Sequence, residues 1–385
     1  MDHSNSLLAT RNRHRPHWLE MRTKEIDKTF LWIVTALALI GLFIFSSASL
    51  GLVARSGAPF GIVFMRQFIF GVLLGSILAF GASKLDFNYW RKWAFLIFIA
   101  SVVLTFAVWI PGLGFEHGGA KRWLSLGILS FQPAELLKFA FVAYFAAWLA
   151  SIKTKVKTFK YGLLPLVILL GIIGVALLIQ PDTDTFFVIV AAGLGMYLIA
   201  GARFRDILII ALTGILLLGA LVTVRPYLMS RVSIFLNPSA DPLGAGYQIQ
   251  QSLIAIGSGG ALGRGLGQSV QKFEYLPEPV GDSIFAVFAE EWGLLGSLVL
   301  LGLFLAFAMR GFQVATHASN SFGTLLVSGI VLIIVIQSLA NIAAMLGVIP
   351  LSGMPLIFAS QGGTALALAL FEVGVVMNVS RHMKK

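Results

Sequence analysis

The sequence predicts an all-α polytopic membrane protein with about ten transmembrane helices. Three observations carry this. The chain is 58% apolar and only 12% charged, with a mean hydropathy of +0.89, a balance foreign to water-soluble globules. Apolar runs long enough, or nearly so, to cross a hydrocarbon core of about 30 Å recur from one end to the other. Lysine and arginine collect in alternate gaps between those runs, the pattern of loops held on the cytoplasmic side.

The runs lie at 30–53, 62–82, 93–111, 134–152, 163–179, 185–201, 207–224, 284–309, 324–346 and 363–379, the fifth, sixth and last being the shortest. An N-in, C-in arrangement places 19 of the 28 basic residues inside, so topology rather than nucleic-acid binding explains the net charge of +11. Residues 1–29 form a basic arm whose Arg11, Arg13, Arg15, Arg22, Lys24 and Lys28 suit anionic headgroups. Residues 30–379 form one membrane domain with a large periplasmic loop at about 225–283, between helices seven and eight, and 380–385 form a cytoplasmic tail. The first run is too long for a signal peptide, despite the small residues Ser46 to Ser49, and reads as an uncleaved anchor. Cysteine is absent, which excludes disulfides and thiolate metal sites.

Two outer segments are candidates for a site. In the larger, Ile249, Leu253 and Ile256 recur at helical spacing and predict a short surface helix over 247–256. Gly257, Gly259, Gly260, Gly263, Gly265 and Gly267 follow, among the charges Arg264, Lys272, Glu274, Glu278 and Asp282. Glycine lets a backbone turn sharply or approach a ligand; a flexible connector is the plainer explanation. Asp282 stands where the eighth run begins, an acid at a membrane rim.

The smaller segment, 118–138, sets Lys121, Arg122 and Trp123 at the outer rim, where cations can meet phosphate and an indole can anchor. Glu135 and Lys138 follow Pro133, three residues apart on one helix face. They suit either an intramembrane ion pair or a substrate contact. Glu290, Glu291 and Glu372, inside apolar runs, read as contacts between helices. Asp182 and Asp184 have the D-x-D spacing of some metal-dependent glycosyltransferases, a pattern that also arises by chance.

Three stretches carry a family resemblance: GYQIQQSLIAIGSGGALGRGLGQSVQKFEYLPEPVGDSIFAVFAEEWG from Gly246 to Gly293, GGAKRWLSLGILSFQPAELLK from Gly118 to Lys138, and NIAAMLGVIPLSGMPLIFASQGGT from Asn341 to Thr364. Together they resemble the SEDS family of bacterial peptidoglycan glycosyltransferases of the cytoplasmic membrane. Leu253 and the run GLGQSVQK are closer to its division type than to its elongation type. The chain departs where the family usually reads QPDLGT, having Thr183 and Asp184 for Leu and Gly. It also has Gln361 for a usual tyrosine, and Val280-Gly281 for a frequent His-Thr.

The resemblance implies polymerisation of lipid II at the outer leaflet during septal synthesis, with Asp282 as catalytic base. Lys121, Arg122, Arg264 and Lys272 would face the pyrophosphate, and Trp123, Glu135 and Lys138 other parts of the substrate. No cofactor is certain; a divalent cation, magnesium or manganese, stays open. The partners implied are a class B penicillin-binding transpeptidase and other division proteins. Small residues such as Gly293, Gly296, Ser328 and Gly329 offer that transpeptidase's helix a surface, or else pack within the bundle. A lipid II flippase and a noncatalytic division scaffold remain the alternatives.

Overall fold

A computed structural model describes residues 25–383 apart from 58, 118–119, 128, 240 and 242–243. The basic arm up to Lys24 and the final residues Lys384 and Lys385 lie outside the described residues.

Every apolar run becomes a helix, as it must where lipid offers backbone groups no water. The order is α1 (Lys28–Ser56), α2 (Phe60–Arg66), a π-helical turn (Gln67–Leu73), α3 (Leu74–Lys84), α4 (Asn88–Ala107), α5 (Pro133–Ile152), α6 (Leu164–Ile179), α7 (Thr183–Ile199) and α8 (Phe204–Val224). After the outer segment come α12 (Ile284–Thr316), α13 (Ser321–Met345) and α14 (Gly363–Ser380). Among the described residues, nine helical stretches are long and apolar enough to cross a membrane, α2 to α3 counting as one; α7, the sixth run, is a shorter apolar helix.

Helix α13 is the centre. It packs against α5, α7, α12 and α14, and its Gly329 sits tightly against Val142 of α5 and Met196 of α7. Ser328 is buried as well. These small residues therefore serve the protein's own bundle rather than an outer docking face. At the other extreme, α8 buries only Asp206 and touches the rest through α7 and the helix that follows it, Pro226–Leu236.

Two outer regions differ from the sequence expectation of loops. The smaller one holds a three-stranded antiparallel sheet, β1 (Gly114–His117), β2 (Ala120–Leu126) and β3 (Leu129–Phe131). The β1–β2 register shifts within β2: Trp123 lies opposite Phe115 and Lys121 opposite Glu116, which leaves Arg122 between them without a partner on β1. The larger outer segment contains three helices: α9 (Pro226–Leu236), α10 (Ala245–Ser258) and α11 (Gln271–Glu274). Helix α10 is the amphipathic helix expected over 247–256.

The glycine stretch acts as a clasp rather than a free connector. Helix α12 breaks at Gly293 (φ 62°, ψ −162°), which frees two carbonyls before the break and two amides after it. Arg264 N–H donates to Glu290 O and Gly265 N–H to Glu291 O, both at 3.0 Å, while Leu294 and Leu295 N–H donate to Gly260 O and Ala261 O at 2.9 and 3.1 Å. The loop thus restores four backbone bonds that low-dielectric surroundings would make costly to lose. Gly260, Gly263 and Gly265 all adopt positive φ to do so.

Candidate functional site

Asp282 stands just before α12, half-buried. Gln248 of α10 donates through Nε2 to its Oδ1 at 3.2 Å and to Ser283 Oγ at 3.0 Å. Burial pushes its carboxyl up to about 6; the Gln248 bond opposes this and the charge of Glu278 adds to it. A carboxyl so placed is ionised near neutral pH yet retains affinity for a proton.

The segment from Ser352 to Gly362 holds the backbone on which Asp282 stands. Ser360 Oγ donates to Gly281 O at 2.6 Å, and Gln361 N–H to Val280 O at 2.7 Å. Asn341 Nδ2, on α13, donates to both Asp282 O (2.8 Å) and Met354 O (2.7 Å). The same segment is anchored elsewhere. Gln67 Nε2, in the π-helical turn, donates to Ser360 O at 3.1 Å, and just past the segment Thr364 Oγ1, at the start of α14, donates to Ser130 O on β3 at 3.2 Å. Extra turns of π helix often mark functional places, and here one turns Gln67 inward.

Beside this frame lie the two carboxylates of the D-x-D pattern, and they do not converge. Arg122 donates to Gln180 O at 3.2 Å and to Pro181 O, and its Nη1 stands 3.9 Å from Asp182 Oδ1. Burial pushes the Asp182 carboxyl up, Arg122 opposes this, and Asp184 adds to it. Asp182 also accepts from Gln132 Nε2 at 3.3 Å and caps α7 by accepting from Thr185 N–H. Asp184 instead accepts from Arg231 Nη1 at 2.9 and 3.1 Å and from Gly353 N–H at 3.1 Å. Asp184 is thus bonded by Arg231 and Gly353, and Asp182 by Gln132 and the start of α7 with the Arg122 charge nearby. A divalent ion would have to displace these separate partners, so the pair does not fit the metal site suggested by its spacing. Among the described residues no group of three or more His, Cys, Asp or Glu side chains gathers for a metal.

The remaining candidates divide. Lys121 lies opposite Glu116 and Trp123 opposite Phe115 in the β1–β2 ladder, both half-buried. Arg264 keeps 42% of its side chain exposed, 3.6 Å from Glu290. Lys272 does not stand open to a ligand: it is fully buried, its Nζ 2.6 Å from Glu291 Oε1 and 3.0 Å from Ser47 Oγ. Glu290 accepts from Ser269 Oγ, Val270 N–H and Gln271 N–H. The acidic pair therefore secures the outer loop; Glu291 also reaches Ser47 of α1, the kind of helix contact expected, whereas Glu290 bonds the outer segment instead. Glu135 and Lys138 likewise form a buried pair at 2.8 Å, with Lys138 also bonded to Gln337. A desolvated pair satisfied from within has no free donor for a substrate. Structure thus favours the pairing alternative at 135 and 138, and moves Lys272 out of the phosphate set.

Sequence reading missed Gln67, Arg231, Gln248 and Asn341. Gln67 was visible as a polar residue within an apolar run and Asn341 as the head of the third signature. Arg231 counted only as an outer charge, and nothing local marked Gln248.

Comparisons with known proteins agree with this architecture. The chain is 38% identical over 369 residues to Stage V sporulation protein E of Bacillus subtilis (strain 168), covering 94% of this chain and 100% of that one. It is 37% identical over 370 residues to a probable peptidoglycan glycosyltransferase FtsW of Geobacter sulfurreducens (strain ATCC 51573 / DSM 12127 / PCA), covering 95% and 99%. Among solved structures, a chain from work described as "Structural coordination of polymerization and crosslinking by a peptidoglycan synthase complex" superposes with a TM-score of 0.77 at 27% identity, over 92% of this chain and 98% of that one. The crystal structure of the Thermus thermophilus rod shape determining protein RodA has the same fold, with a TM-score of 0.69 at 24% identity over 96% and 100%. The FtsW/RodA/SpoVE model, described as cell cycle protein, matches residues 28–385, and the chain belongs to that family.

Proposed function

We propose that this protein is a peptidoglycan glycosyltransferase that polymerises lipid II at the outer face of the bacterial cytoplasmic membrane, with Asp282 as general base. The observation that carries the reading is Asp282 itself: a half-buried carboxyl pushed up to about 6, on a backbone fixed by Asn341, Ser360 and Gln361. In the reaction the 4-hydroxyl oxygen of one sugar bonds to the anomeric carbon of another, whose bond to the pyrophosphate oxygen breaks. Asp282 takes the hydroxyl proton, and undecaprenyl pyrophosphate leaves with the bonding electrons. Cations near the leaving group stabilise its growing charge. Of the four candidate cations, Lys121 and Arg264 remain partly exposed once Lys272 is committed to Glu291, and Arg122, with its planar fork, would serve by exchanging its bonds to the Gln180 and Pro181 carbonyls for phosphate oxygens.

Relatives bearing the name FtsW and the likeness to a chain of a synthase complex support the activity and a role in division. The same likeness supports a transpeptidase partner, which we assign to the class B penicillin-binding type, within a larger division assembly at the septum. Purified protein given lipid II should make glycan polymer, and Asp282→Asn should abolish this while leaving lipid II binding near wild type. Polymer formed by the variant at wild-type rate would remove Asp282 from its role. Translocation of lipid II by the wild-type protein without any polymer would replace the reading with a flippase.

A further inference from the structure

Helices α8 and α9 lie beside the bundle more than within it. Helix α9 nevertheless meets the start of α7 at two consecutive residues. Tyr227 Oη donates to Thr183 Oγ1 at 3.5 Å, and Arg231 Nη1 donates to both oxygens of Asp184 at 3.1 and 2.9 Å. The Arg231 guanidinium also lies over the Tyr227 ring, 5.9 Å from its centre. Both bonds need the side-chain oxygens that Thr183 and Asp184 supply.

Asp184 then reaches a second element. Its Oδ2 accepts from Gly353 N–H at 3.1 Å, and the next residue's carbonyl, Met354 O, accepts from the Asn341 amide that also holds Asp282 O. The ion pair is shielded, with 14% of the Asp184 side chain and 27% of that of Arg231 exposed, so it is screened less than a surface pair. From α9 to Asp282 every link is a short contact between named atoms. Asp182, two residues away, faces Arg122 and takes no part.

We infer that Asp184 is a positioning residue: it clamps α9 to the segment carrying Gly353 and so sets the placement of Asp282 for turnover. The inference rests on the reading of Asp282 as base. Movement of α9 that opened the pair would loosen Gly353 and shift the carboxyl from its working position, a displacement to which catalysis is sensitive.

The test uses the full-length protein, purified in detergent and given lipid II, in four forms: Asp184→Asn, Arg231→Gln, both together, and Arg231→Lys. Each of the first two should lower kcat about tenfold with KM within about twofold of wild type, and the double variant should lose no more than either alone, as expected of two halves of one contact. Arg231→Lys, which keeps the charge, should recover part of the rate. Melting temperatures near wild type in all four separate positioning from unfolding. Wild-type kcat in either single variant, multiplied losses in the double, a change confined to KM, or no advantage of Lys over Gln would each overturn the clamp. Asp282→Asn is run beside them. If it is inactive while the Asp184 variants polymerise normally, the clamp falls and the base stands; if it stays active while they lose turnover, the base falls and the clamp's link to turnover stands.

Discussion

Asp282 shows how one residue's surroundings set its chemistry. An ordinary aspartate titrates near 3.9, and with its carboxyl at about 6 this one is a stronger base at neutral pH. Only the ionised form can accept the hydroxyl proton, so polymerisation should rise as pH increases through about 6 and level off above it. A pH–rate profile for lipid II polymerisation checks this, and a rate flat from pH 5 to 7 would exclude Asp282 as the titrating group. The sign for stability is the opposite. The folded carboxyl binds its proton more tightly than the unfolded one, so ionised Asp282 opposes folding fully above pH about 6 and not at all below about 4. Asp282→Asn should therefore melt no lower than wild type at pH 7.5, and its lost activity cannot then be blamed on unfolding.

At the scale of elements, the outer loop is held by a buried ion pair and a backbone clasp. Lys272→Met would leave Glu291 charged and unpaired in a buried position, which costs about 3–5 kcal/mol. Adding Glu291→Gln should return most of the lost thermal stability and, because Lys272 is not placed against substrate, most of the activity. A double variant that is stable but inactive would restore Lys272 to the phosphate set. The clasp makes a sharper demand on Gly263. Its φ is +80°, and a Cβ there would run into Glu291 O at the break in α12. Gly263→Ala should cost about 2–4 kcal/mol from backbone strain and overpacking combined, seen as a lower melting temperature in detergent. Gly257, with open space around it, should tolerate the same change. Equal melting of the two variants would contradict the clasp.

For the whole molecule, the placement of basic residues orders the two faces. A reporter fused after Lys385 should read cytoplasmic and one inserted near Ala240 periplasmic, with Asp282 then on the outer side; the opposite pair of signals would invert the chain and remove the site from its substrate. Both positions lie outside the described residues, and the expectation stands on the charge pattern alone.

Apolar runs determined the helices by themselves: length and composition decide insertion into lipid, and each run from 30–53 to 363–379 is helical. The short helix in the outer segment was legible for the same reason, since an amphipathic period survives without tertiary contacts. Asp282 was visible as an acid at the membrane rim, and the family resemblance marked it as the base. Tertiary structure alone decided which charges are free. Lys272 and Arg264 look alike in sequence, eight residues apart, yet one is buried against Glu291 and the other is partly exposed beside Glu290. Arg122 was brought to the Gln180 and Pro181 carbonyls by a strand with a register shift, which short polar segments do not announce. Gln67, Gln248, Asn341, Asp184 and Arg231 meet around Asp282 and its supporting segment from separate elements. Their hydrogen bonds depend on distances between helices far apart in the chain, which no local pattern encodes.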